Sequence, residues 1–210
     1  MIVLHHLDRS RSQRIAWLLE ELGVGYELRT YLRDAQTRLA PPELKAVHPL
    51  GKSPMVEVDG RLIAESGAIV EALCARFGPH LVPEAGSDGH IAYLEWIHFA
   101  EGSAMTPILL QLYTGQLGDA SAPLRPRIMD QLAAHFGFMD RAVSKSGHFV
   151  GDQLTGADIM LSFPAEVAVR GKGRGLYPGL ARFVDTMRKR PAYERALAKT
   201  AQAEAAAKQN

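Results

Sequence analysis

The stretch His48-Pro49-Leu50-Gly51-Lys52-Ser53-Pro54-Met55-Val56-Glu57-Val58, followed by Ala64-Glu65-Ser66-Gly67-Ala68-Ile69, sets two kinds of binding surface side by side. One is backbone. Pro54 begins an alternating apolar run that reads as a strand, and a proline there cannot donate to a ladder, so the segment before it is a turn or a sheet edge. An edge with free backbone groups can pair with a peptide. The other surface is the start of a helix. Glu65 and Ser66 open the amphipathic helix Ala68 to Phe77, whose first amides lack intrahelical partners and favour an anion. A small peptide carrying carboxylates would satisfy both. Taken singly, each feature has a plain structural reading: a strand-start proline and a helix cap.

The elements that must position these groups alternate in type over the first part of the chain. Ile2 to His6 reads as a strand, Ser12 to Leu22 as a helix ended by Gly23, and Tyr26 to Tyr31 as a strand. Pro41-Pro42 starts a short helix through Ala46, ended by His48-Pro49. The strands Met55 to Val58 and Leu62 to Ala64 are joined by Asp59-Gly60, a strong hairpin signal. Gly78-Pro79 closes this unit, and Pro83 to Gly89 reads as a linker. From Asp88 onward the pattern is helical, beginning with a long segment to about Tyr113 and continuing with Arg125 to Val143. Thr155-Gly156-Ala157-Asp158 has the form of a capping box, with Leu154 and Ile159 placed for a hydrophobic staple. Gly171 to Gly179 reads as a loop, and helices from Leu180 and Ala192 complete the chain. The tail from Ala201 is alanine-rich and polar, with little to pack. The expected organisation is an α/β domain over residues 1–78 and an all-α domain over 88–210.

The chain of 210 residues is 47% hydrophobic and 22% charged, which suits a protein with a real core. Its 24 basic and 23 acidic residues are interspersed, so no sustained basic face exists for nucleic acid or anionic lipid. Met1 to Leu7 has no signal-peptide pattern, and no apolar run reaches the roughly 18 residues of a membrane span, so the expected location is cytoplasmic, with no membrane partner. The single cysteine, Cys74, excludes an internal disulfide and reads as a buried, inert thiol in an apolar helix. The 8 histidines show no metal-binding spacing, and His5 and His6, adjacent on a strand, point to opposite faces. No metal is expected.

The proline-preceded strand, the Glu-Ser pair and the N-terminal strand and helix together resemble the glutathione S-transferase family, in its cytosolic, serine-type, theta-like branch of bacteria and fungi. The resemblance covers nearly the whole chain. It implies a thioredoxin-like N-terminal domain, an all-helical C-terminal domain and a homodimer. It also implies that Pro54 is cis, that Ser53 pairs through its backbone with the cysteinyl part of glutathione, and that Glu65 and Ser66 hold the γ-glutamyl end. Lys52, with help from His48, would meet the glycyl carboxylate. Asp158 would be structural despite its charge.

Thiol chemistry requires the thiolate, while a free cysteine thiol has a pKa of about 8.5. The groups that would stabilise it belong to the loop Asp8-Arg9-Ser10-Arg11-Ser12-Gln13-Arg14. Serine-type members carry the catalytic serine four residues before a helix arginine, and Arg14 sets that register onto Ser10. Its role would be to donate a hydrogen bond to the thiolate, with Ser12 as the helix cap. Ser12 and Arg11 remain alternatives for the activating group, since Arg11 stands where the family often has proline. The loop has neither tyrosine nor cysteine, against the tyrosine-dependent branches and those that form mixed disulfides. Glu101 interrupts an apolar helix, with an interface or solvated role set against a reach across the dimer to glutathione. Met105, Leu109, Tyr113 and Phe163 would wall the pocket for a small hydrophobic electrophile, although such stripes ordinarily make core. The expected function is a detoxifying glutathione transferase that directs the thiolate at the electrophile, with glutathione-dependent peroxide reduction as a further reaction. The alternative is a binding or interaction protein of the same fold with little turnover.

Overall fold

The protein is described by a computed structural model covering residues 1–209. Its contacts divide it into two units, residues 1–79 together with 188 onward, and residues 80–187.

The first unit is built on a four-stranded mixed sheet in the order β2-β1-β3-β4. Strand β1 (Ile2–Leu7) leads into helix α1 (Ser12–Glu21), which returns the chain to β2 (Glu27–Tyr31), parallel to β1. Gly23 takes a positive φ of 64° after α1, a backbone shape that suits glycine. A short helix α2 (Glu43–Val47) precedes β3 (Met55–Val58), which runs antiparallel to both β1 and β4 (Arg61–Ala64). Asp59 and Gly60 both have positive φ, 49° and 84°, so the hairpin closes in the two-residue turn their sequence favours. Helix α3 (Ser66–Phe77) follows directly.

All six residues of β1 are buried, although two are histidines. They face opposite sides of the sheet. The His5 ring lies between the Tyr31 hydroxyl and the Glu57 carboxylate, both at 2.9 Å. The His6 ring meets Ser12 of α1 and Glu204 of the last helix.

That last helix, α10, departs from the expected 88–210 domain. Counting the helices after α3, the chain forms α4 (Asp88–Phe99), α5 (Met105–Thr114), α6 (Arg125–Ser146), α7 (Gly156–Ala168), α8 (Gly173–Leu176), α9 (Pro178–Arg188) and α10 (Pro191–Ala207). Helix α10 packs along α1 and β2 in the first unit. Tyr193 meets Trp17 edge to face, Arg190 makes a two-bonded ion pair with Glu21, and Thr200 donates to Gln13. The helix continues into the alanine-rich tail, where Glu204 reaches the His6 ring at 3.0 Å, a contact that composition concealed.

In the second unit the long segment to residue 114 is interrupted by a π-helical turn, Ala100–Ala104. Pro107 lies just beyond it. Proline has no N–H for the carbonyl four residues back and its ring crowds that group, so widening the preceding turn relieves the conflict. Gly179 lets α9 approach α6, because an added Cβ would stand 2.4 Å from Ser144 Oγ and 2.7 Å from the Asp140 carbonyl. Asp140 then accepts the Leu180 N–H at 2.8 Å. The expected loop at 171–179 contains α8, a single turn.

Asp158 is fully buried at the start of α7. Its carboxylate accepts the Thr155 N–H at 2.8 Å, the Thr155 hydroxyl at 3.2 Å and the Phe149 N–H at 2.9 Å. This is a folding role, and Leu154 and Ile159 are buried beside it.

Candidate active site

An open cleft in the first unit is lined by Arg11, His48, Leu50, Lys52, Ser53, Pro54, Met55, Ala64, Glu65 and Ser66. Residues expected from three separate stretches of sequence thus share one surface. Pro54 follows a cis peptide bond from Ser53. The Ser53 hydroxyl donates to the His5 carbonyl at 2.8 Å, so that side chain is held against β1. His48 ends α2 in an extended conformation, and its Nδ1 accepts the Leu50 N–H at 3.3 Å, a turn residue's role. Lys52 is exposed.

Glu65 stands at the cap of α3 with φ 68° and an exposed side chain that makes no capping bond. A glutamate held in this sparsely populated region presents its carboxylate at the cleft instead of folding it onto the helix. Ser66 is buried, and Arg14 Nη2 donates to its hydroxyl at 2.7 Å. That buried bond ties the start of α1 to the start of α3. Cationic Arg11 and Lys52 share the cleft with anionic Glu65, so it can receive a zwitterionic end and a carboxylate at the same time.

The loop before α1 differs from expectation. Ser12 does not cap the helix. The cap position is Arg11, already in helical conformation at φ −66° and ψ −9°, and Ser12 is the first helical residue. A capping hydroxyl must come from a residue outside the helix, and here Ser10 Oγ accepts the Ser12 N–H at 3.1 Å. Ser12 Oγ instead lies 2.7 Å from Ser10 Oγ and 2.8 Å from His6 Nδ1, with no exposed surface. Ser10 retains 8% exposure. Arg11, the residue between them, lines the cleft.

Cys74 lies wholly inside α3, and burial, reinforced by Glu71, pushes its thiol up to about 12. It stays protonated at neutral pH and has no part in the site.

The residues expected to wall an electrophile pocket belong to the second unit. Met105, Leu109 and Tyr113 repeat every fourth residue along α5, running from buried Met105 through half-buried Leu109 to Tyr113, 60% exposed. Phe163 is half-buried on α7, and Glu101 is half-buried in the π-helical turn. Among the described residues no helix is long and apolar enough to cross a membrane, and no three His, Cys, Asp or Glu side chains gather as metal ligands do.

Sequence reasoning placed neither Leu50 on the wall of the cleft nor His6 beside Glu204. Leu50 carried a signal, an apolar side chain between breakers. His6 carried one too, since an imidazole in a wholly buried strand needs polar partners.

The family model for the N-terminal domain of glutathione S-transferases matches residues 1–73, and that for the C-terminal domain matches residues 102–191. Glutathione S-transferase 1 of Saccharomyces cerevisiae is 32% identical, over 92% of each chain. Glutathione S-transferase 3 of Schizosaccharomyces pombe is 35% identical, over 91% of this chain and 85% of its own. A crystal structure of a glutathione S-transferase from Actinobacillus pleuropneumoniae superposes with a TM-score of 0.85 at 35% identity, covering 95% of this chain and 93% of that one. Matches to both domain models, together with relatives above 30% identity along almost their full length, establish that the chain belongs to the glutathione S-transferase family of enzymes.

Proposed function

We propose that the protein binds glutathione in the cleft of its first unit, with Ser10 as the hydrogen-bond donor to the thiolate, and directs the sulfur at a small hydrophobic electrophile. The observation that carries this reading is the sharing of one cleft by Glu65 and Ser66, the Ser53-Pro54 backbone, and the residue next to Ser10. In this assignment Glu65 and the start of α3 hold the γ-glutamyl end. The backbone of Ser53 pairs with the cysteinyl part, and Lys52 with His48 meets the glycyl carboxylate.

Lowering a thiol pKa by two units requires about 2.7 kcal/mol of preferential stabilisation of the anion. A short hydrogen bond to charged sulfur, with the amides at the start of α1, is of that size. Arg11 is a second reading for the same role, favoured by its place on the wall of the cleft. A tyrosine or cysteine is absent from the loop, which supports the serine-type branch. Met105, Leu109, Tyr113 and Phe163 are the proposed walls for the electrophile, and peroxide reduction is a further reaction open to the same thiolate. The proposed setting is detoxification in the cytoplasm, with the chain as a homodimer in which Glu101 lies at or near the interface.

Retention on immobilised glutathione followed by conjugation of a generic aryl halide tests the reading. Retention with saturable turnover is expected, and light scattering should give about twice the chain mass of 23.0 kDa. Binding without turnover across a broad panel of electrophiles and peroxides would favour a binding protein of the same fold.

A further inference from the structure

We propose that His6, supported by Glu204, takes up the proton of the glutathione thiol through a chain of two hydroxyls, Ser10 and Ser12. The proposal rests on Ser10 being the group that meets the sulfur. Four side chains from the α1 loop, α1, β1 and α10 stand in line. Ser10 Oγ is 2.7 Å from Ser12 Oγ, Ser12 Oγ is 2.8 Å from His6 Nδ1, and His6 Nε2 is 3.0 Å from Glu204 Oε1. Ser12 and His6 are at most 1% exposed, and the Glu204 side chain is 25% exposed, so the line runs from the loop through the buried space between α1, β1 and α10 to a partly exposed carboxylate.

The direction of each bond follows from the donor inventory. A carboxylate only accepts, so Glu204 fixes a proton on His6 Nε2. In the neutral ring Nδ1 is then an acceptor, served by the Ser12 hydroxyl. The Leu7 carbonyl, 3.3 Å away, is the other acceptor within reach of the Ser12 hydroxyl, and the 2.8 Å contact to Nδ1 is the shorter. Ser12 Oγ in turn accepts from the Ser10 hydroxyl and from the Leu7 N–H, 3.3 Å away. Ser10 Oγ already takes the Ser12 N–H, which leaves one lone pair for a thiol S–H. When the thiol ionises, the S–H bond breaks and its proton passes to Ser10. The Ser10 proton passes to Ser12, and the Ser12 proton forms the Nδ1–H bond of an imidazolium. Both serines remain neutral. The bonds between sulfur, Ser10, Ser12 and Nδ1 have reversed, while those from Nε2–H to Glu204 and from the two backbone amides keep their direction, so that Ser10 now donates to the thiolate, the role assigned to it above.

Charge placement decides whether this transfer is favourable. A proton taken up at the inner end of the chain puts a positive charge in the interior, which needs a countercharge beside it. Around His6 stand Ser12 from α1, its ladder partner Thr30 from β2, and Glu204 from α10, whose carboxylate accepts from Nε2. The buried imidazolium therefore forms next to a carboxylate, while the thiolate forms next to the hydroxyl of Ser10, the neighbour of cleft-lining Arg11. When the thiolate forms its bond to carbon, the bond from that carbon to the leaving group breaks, the leaving group departs into the cleft as an anion with the electron pair, and the same chain returns the proton to the cleft to balance it. His6 and Glu204 do not touch substrate in this scheme; they act through the serines as positioning and relay residues.

The test is the thiolate absorbance of bound glutathione, titrated with pH in the full chain and in Ser10→Ala, Ser12→Ala, His6→Gln, Glu204→Gln and Glu204→Asp, with glutathione affinity and melting curves measured alongside. His6→Gln and Ser12→Ala should raise the thiol pKa by about one unit, a tenfold loss of thiolate at neutral pH, with turnover recovering in alkali. Glu204→Gln should raise it by less, Glu204→Asp should recover part of that shift, and affinity should stay within about twofold, which a merely structural role would not produce. Should His6→Gln fail to fold, Glu204→Gln, at a partly exposed position, decides in its place. If Ser10→Ala raises the pKa while the other variants leave it unmoved, the relay is wrong and the Ser10 assignment stands. If Ser10→Ala leaves it unmoved, both are wrong.

Discussion

Two helix starts in this protein carry a hydroxyl close to a buried ionisable group, and they use it in opposite ways. At the start of α7 the carboxylate of Asp158 accepts the N–H and O–H of Thr155 in its own turn and the N–H of Phe149 from the preceding segment, at 2.8 to 3.2 Å. At the start of α1 the hydroxyls of Ser10 and Ser12 bond to each other and to an imidazole, and Ser10 also accepts the backbone amide of Ser12. The first arrangement closes a fold. The second leaves a polar line running from the sheet toward a cleft, with Ser10 at its outer end. A carboxylate whose oxygens are filled by donors of its own turn and the segment before it is structural, whereas hydroxyls in series, with the outermost retaining some exposure, keep capacity for a ligand.

The contrast can be broken most severely at Asp158. Asp158→Ala leaves the Phe149 and Thr155 amides buried without an acceptor and removes a capping box, so it should cost roughly 3 kcal/mol in stability by denaturant unfolding. The thiol pKa of glutathione bound to the remaining native protein should be unchanged. A shift there would erase the distinction between the two helix starts.

Glu65→Ala should behave in the reverse manner. Its side chain is exposed and makes no capping bond, so the melting temperature should hardly move, while glutathione affinity measured by titration calorimetry falls at least tenfold, about 1.4 kcal/mol. Unchanged affinity would remove Glu65 from the site.

Ser12→Ala sharpens the comparison because its two effects fall in one residue. As a helix cap it would have cost about 1 kcal/mol with the thiol unaffected. Buried between Ser10 and His6, it should cost a similar amount and also disturb the thiol titration. A pure stability change would return Ser12 to the structural class.

The smallest effect concerns Cys74, whose titration in the folded chain is pushed up to about 12 by burial. A thiol protonated more tightly when folded contributes stability that is complete below the unfolded value of about 8.5 and is lost as pH rises from there toward 12. Cys74→Ala should flatten the alkaline decline of stability, and in the parent protein a thiol reagent at neutral pH should label Cys74 only as fast as the chain opens. Rapid native-state labelling would show a thiol more accessible than this.

Much of this was legible in sequence for local reasons. Asp59-Gly60, the Pro54 strand start, Glu65-Ser66 and the Thr155 to Asp158 box each depend on neighbours within a few positions, where backbone geometry and residue type are tightly coupled. The cap of α1 was not, because Ser10 and Ser12 differ by two positions and either hydroxyl can reach an early amide. The contact between His6 and Glu204 joins residues 198 positions apart, on a strand and on a helix whose alanines conceal which face packs. Nor did periodicity show the π-helical turn, since one extra residue displaces the apolar stripe only slightly and Pro107 acts from beyond it.

The titration of bound glutathione in Ser10→Ala bears most directly on the central claim, that Ser10 stabilises the thiolate. The account expects the thiol pKa to rise by about one unit or more, about 1.4 kcal/mol, with neutral-pH turnover falling and alkaline turnover partly recovering. A titration unmoved in Ser10→Ala but displaced in Arg11→Ala would contradict it and assign the thiolate to the arginine.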